Sequence, residues 1–169
     1  MQEKSLTPEL ASQTNTTQTA SSPLRSLTLF TLLLLEVQFI IGMLVNLYIQ
    51  VPAVHPGANA SNYFLGIVQG VGWALLASPL ALLVHIVLGL LLFLASSILV
   101  GFAIASRRRI WIISSIFGWI GIVGAGFNGA SFLNYGHNFS SLLMSTGFVL
   151  SMIAYTLSFA FAGKKGNLR

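Results

Sequence analysis

At 169 residues, 55% of them hydrophobic and only 7% charged, with a mean hydropathy of +0.85, the chain lies outside the soluble globular range, where about a quarter of residues are charged. Its net charge of +5 does not point to nucleic acid, because Arg107, Arg108, Arg109, Lys164 and Lys165 abut apolar segments and no basic face interleaved with stacking aromatics accompanies them. The absence of cysteine excludes disulfides, thiolate metal sites, iron–sulfur clusters and cysteine nucleophiles.

Residues 1–24 are rich in Ser, Thr and Gln and read as a disordered tail that cannot bury enough apolar surface to order itself. The apolar stretch that follows is too long and too far from the start for a cleavable signal, so it reads as a retained first span. Four stretches, at about 27–49, 80–104, 110–133 and 139–162, can each cross a hydrocarbon core of about 30 Å, which takes about 20 helical residues. The expected fold is an all-α integral membrane protein, a four-transmembrane-helix bundle over residues 25–163, followed by a short basic tail, 164–169.

Between Ser26 and Gly163 the only formal charges are Glu36 and the arginine run 107–109. If the spans alternate, Arg25, the arginine run and Lys164–Lys165 share one side, while segments 50–78 and 134–138, which lack Lys, Arg, Asp and Glu, share the other. The positive-inside rule then places both termini in the cytoplasm of a multi-pass cell-membrane protein. Within the longer outer segment, residues 63–76 are apolar and glycine-punctuated, which predicts an interfacial or re-entrant piece between the first and second spans. A fifth span is the competing reading, and it would move the arginine run outside against the charge rule. Ser78–Pro79 suits the start of the second span, with serine as cap and proline in the first turn. Asn59–Ala60–Ser61 fits the N-glycosylation pattern on the outer side.

The third span contains Gly124–Ala125–Gly126–Phe127–Asn128–Gly129, which matches the dinucleotide fingerprint in letters only. That fingerprint needs a strand before the glycines and an acid about 20 residues later, and no Asp or Glu follows Glu36, so nucleotide binding is not expected. Gly121, Ala125 and Gly129 instead form a small-xxx-small ridge for a neighbouring helix, with Gly118 and Gly124 expected to widen the groove.

Polar residues inside the spans are the candidate functional groups. Glu36 falls near mid-bilayer, with Met43 and Gln50 on nearly the same helical face and Asn46 at its edge. It is expected to be protonated or hydrogen-bonded, either as the coupling acid of a small proton-driven carrier or as a neutral acid bonded across the bundle. No second acid or base lies at its depth to continue a relay.

His85 emerges from a smooth stripe with Ala81 and Gly89. Counting from the expected boundaries, Met43, His85, Asn128 and Met144 all lie about 8–11 Å deep, one from each span. Asn46 and Ser141 lie nearby, His137 just above, and His55 in the outer segment. Such a layer fits a b-type haem on His85 with Met144 or His137, cuprous copper on His85, Met43 and Met144, or a quinone or lipid held by His85 and Asn128. The structural alternative pairs His85 and Asn128 with each other or with a backbone carbonyl, with the methionines as packing. No catalytic constellation and no recognised zinc spacing occurs, so no catalytic residue or metal site is assigned. The leading expectation is a non-enzymatic accessory or interaction subunit, partnered by the lipid bilayer and by other membrane subunits or its own copies. A haem, quinone or copper redox protein and a Glu36 carrier are the alternatives.

Overall fold

The structure, a computed structural model, describes residues 22–161. The tail over 1–21 and the basic pair Lys164 and Lys165 lie outside the described residues. Five helices and no strand occur among the described residues: α1 (Ser22–Tyr48), α2 (Tyr63–Ala77), α3 (Leu80–Ala105), α4 (Arg109–Tyr135) and α5 (Asn138–Phe161). Helices α1, α3, α4 and α5 are long and apolar enough to cross a membrane, which makes this a small multi-pass membrane protein. At 15 residues, α2 is about 22 Å long and too short to do so.

Local chemistry sets the ends. Helix α1 is described from Ser22, and Leu24 within it is already buried. The Asn62 side chain caps α2 by accepting the Leu65 N–H at 3.0 Å. Ser78 does not cap the following span as expected. Its hydroxyl donates to the Ala74 carbonyl at 2.6 Å and closes α2, while Pro79 occupies the N-cap of α3 without a side-chain bond. Gly136 ends α4 in the left-handed region, φ +63°, and its N–H returns to the Phe132 carbonyl at 2.8 Å.

The four long helices form a ring in which α1 packs on α3, α3 on α4, α4 on α5 and α5 on α1. Among the described residues α3 and α5 stand diagonally opposite, with no Cα pair within 8 Å. The start of α1 and the end of α5 meet where the Arg25 guanidinium lies 5.1 Å from the Phe159 ring centroid. Arg109 and Phe161 share a groove at that same end. Helix α2 covers the other end, packed on α3 and α4.

The burial pattern inverts that of a soluble bundle. Large side chains such as Leu33, Ile40, Phe102, Phe117 and Ile153 face outward, whereas Thr28, Thr31, Ser96, Ser115, Ser151 and Ser158 are buried beside Leu99, Trp111 and Tyr155. Lipid exacts no penalty for exposed apolar groups, so association must come from close backbone approach and hydrogen bonding. The hydroxyls are satisfied locally: Thr28 donates to the Leu24 carbonyl and Thr31 to that of Leu27, both at 2.8 Å. Ser151 also crosses the α4–α5 seam, its hydroxyl shared between the Gly118 and Gly147 carbonyls at 2.8 and 2.9 Å.

Glycines open this seam. A Cβ on Gly121 would strike the Ser151 hydroxyl and the Gly147 carbonyl, one on Gly118 would enter the Tyr155 ring, and one on Gly147 would press on Gly121 and Ala125. Gly129 lies beside the Met144 thioether. Gly124 has no atom within 4 Å of its Cβ position, so it does not widen the groove as the sequence reading expected.

Candidate functional site

The polar centre of the membrane region is a node between α1 and α3. The Gln38 side-chain nitrogen donates to the His85 backbone carbonyl at 3.1 Å and lies 3.3 Å from His85 Nε2. An amide N–H can only donate, so Nε2 accepts and the ring proton belongs on Nδ1. That Nδ1 and the Gln38 Oε1 are both buried and without a hydrogen-bond partner. Two glycines make room. A Cβ on Gly42 would come within 2.8 Å of His85 Cε1, and one on Gly89 within 3.3 Å of the Gln38 nitrogen. The space beside the Ala81, His85 and Gly89 stripe is therefore occupied by Gln38 of the neighbouring helix.

Gln38 is absent from the sequence-based candidates, which centre on the formal charge of Glu36 two residues earlier. A glutamine in an apolar span is nonetheless a signal in itself, since its amide must find partners away from water. Replacing Gln38 by Leu or His85 by Phe is expected to lower bundle stability by about 0.6–2 kcal/mol each. The double variant should cost less than the sum, as read by unfolding in detergent, because the two side chains share one bond.

The other residues of the expected layer are distributed elsewhere. Asn128 donates to the Gly124 carbonyl of its own helix at 2.8 Å, Met144 sits at the α4–α5 seam beside Gly129, and Met43 is exposed on α1. His137 is exposed and stacks on Tyr135 with centroids 6.2 Å apart. Among the described residues none of these side chains hydrogen-bonds another, and no group of three or more His, Asp or Glu converges as a metal site.

Glu36 lies on the exposed outer surface of α1, with no hydrogen bond or ion pair among the described residues. It does not bond across the bundle. Asn46 and Gln50 are likewise exposed, toward the α2 end.

The α2 end is closed by its own contacts. His55 stacks on Trp73 at 4.5 Å and reaches the carbonyls of Pro56 and Leu133 at 3.0 and 3.3 Å. The Tyr135 hydroxyl donates to the Ala60 carbonyl at 3.1 Å, and the Asn59 N–H to that of Asn134 at 3.1 Å. Gly57, at φ +92°, lets the loop press against Gly66 and Gly70. At the opposite end a groove of about 590 Å³ runs between α4 and α5, walled by Ile113, Phe117, Ile153 and Leu157 and rimmed by Arg109. The arginine run leaves α3 through a turn in which Arg107 takes φ +55°, and Arg109 opens α4.

No family model, no curated protein and no solved structure matches this chain.

Proposed function

We propose that this small multi-pass protein is a non-enzymatic interaction subunit of the cell membrane, with the arginine turn and both termini in the cytoplasm. The orientation rests on charge. Arg25 and the arginine run lie at one end of the bundle, and the loop at the other end has no Lys or Arg.

The role rests on Glu36. It is the only acid among the described residues, and it faces outward from a membrane-crossing helix without a partner among them. A carboxyl turned toward hydrocarbon costs several kcal/mol, about 2.5–3.5 for an ionised acid at the span centre, and a polar group on another chain removes that cost. Native mass spectrometry from lipid nanodiscs is expected to give assemblies heavier than the 18.1 kDa chain. A monomer at every protein-to-lipid ratio would end this reading.

A second reading is favoured by the node itself. The unpartnered His85 Nδ1–H and Gln38 Oε1 form a donor and acceptor pair that suits the carbonyl or hydroxyl of a quinone or lipid. The haem alternative has less support, because the Nε2 lone pair that would bind iron is already turned to Gln38. Protein expressed with ample haem is expected to lack a Soret band. A band present in the native chain and absent after His85→Phe would replace the interaction reading with a redox one.

A further inference from the structure

We propose that the partner of Glu36 is the Glu36 of a second copy, the two α1 helices packing in parallel about a two-fold axis normal to the membrane. The proposal deepens the interaction reading and rests on it.

Spacing carries the first part of the argument. Leu29, Leu33, Glu36, Ile40, Met43 and Leu47 follow one another at intervals of four, three, four, three and four residues, and every one is exposed. That is an a/d heptad seam, the pattern by which two helices interlock with a left-handed crossing of about 20°. Among the described residues these side chains stay out of the buried core. The inward face of α1 is a different set, with Thr28 and Leu35 in the core and Gln38 and Gly42 against His85. On the far side of the outward surface, Phe30, Val37 and Leu44 are exposed and carry no polar group, so nothing there selects a partner.

Chemistry supplies the second part. A carboxylic acid carries one O–H donor and one carbonyl acceptor, so two of them close a reciprocal pair with both groups satisfied. Copies inserted by the same topology have parallel α1 helices, and a two-fold axis then sets Glu36 against Glu36 at equal depth. Among the described residues the cations cannot serve, because Arg107, Arg108 and Arg109 stand at the bundle end and Arg25 lies over the Phe159 ring near the start of α1, away from its middle. A self-complementary acid on a heptad seam needs only a second copy.

The cysteine-free chain is a ready background for the test. Single cysteines are placed on the seam, Ile40→Cys or Met43→Cys, and beside it, Val37→Cys or Leu44→Cys, and oxidised in native membranes. Disulfide-linked dimer is expected from the seam positions and at least about fivefold less from the other two. Adding Glu36→Leu to Ile40→Cys should lower the yield about tenfold, whereas Glu36→Gln, whose amide also donates and accepts, should hold it within about twofold. Because Glu36 is exposed, circular dichroism of both variants should match the parent.

Equal cross-linking on the two faces, or a yield indifferent to Glu36→Leu, overturns the proposal. So does a nanodisc assembly containing a single copy of this chain with a different protein, which leaves the interaction reading standing. A monomer alone overturns both.

Discussion

Leucine at Gly121 is expected to cost at least about 3 kcal/mol of bundle stability, and alanine there about 1–3 kcal/mol, measured by reversible unfolding in detergent. The obstacles are the Gly147 carbonyl, a backbone group that cannot rotate aside, and the Ser151 hydroxyl, which bridges to the Gly118 carbonyl. Adding a side chain thus separates the backbones and breaks the Ser151–Gly118 hydrogen bond in one step. In lipid no hydrophobic pressure drives the separated helices together again. Gly124→Ala is the internal control. Its Cβ meets nothing within 4 Å, so the substitution should be neutral or stabilising by up to about 1 kcal/mol through helix propensity. If Gly121→Leu and Gly124→Ala behaved alike, the α4–α5 seam would not be where the structure places it.

Trp111→Ala is expected to cost about 3–5 kcal/mol, while Trp111→Phe should change stability by less than about 1.5 kcal/mol. Trp111 is 1% exposed and fills the arginine end of the bundle together with Leu24, Leu99, Ala103 and Tyr155, so truncation leaves a cavity bordered by three helices besides its own. Its indole nitrogen is buried without a hydrogen-bond partner, and phenylalanine therefore removes an unsatisfied donor rather than a bond. Trp119 offers the contrast. Its Nε1 donates to the Ser97 hydroxyl of α3 at 3.0 Å, so phenylalanine there severs a tie between helices and should cost about 0.6–2 kcal/mol. Thermal unfolding of the three variants separates packing from hydrogen bonding, and a Trp111→Phe loss as large as that of Trp111→Ala would refute the assignment.

The glycines and polar residues show where reading from the chain alone stops. Gly118, Gly121, Gly124, Gly126 and Gly129 all occur within one span, yet only Gly118, Gly121 and Gly129 meet a neighbouring helix. The stripe around His85 was visible as a gap in side-chain volume, but that Gln38 fills it depends on how α1 is turned. Glu36 and Gln38 are two residues apart, about 200° around a helix, which is why one faces outward while the other enters the bundle. Asn128, His85 and Met144 share a depth by residue count without sharing a hydrogen bond, because depth follows from residue count whereas partners follow from azimuth.

Hydropathy and charge alone dictate how many helices can cross a membrane and which loops carry the cations, since each quantity sums over a segment and is insensitive to rotation. The azimuth of every helix emerges only in the assembled bundle. A soluble helix announces its inner face by apolar periodicity, but these spans are apolar on both faces, and small residues, hydroxyls and one amide choose the contact instead. The outward turn of Glu36, and the seam it centres, are consequences of that packing.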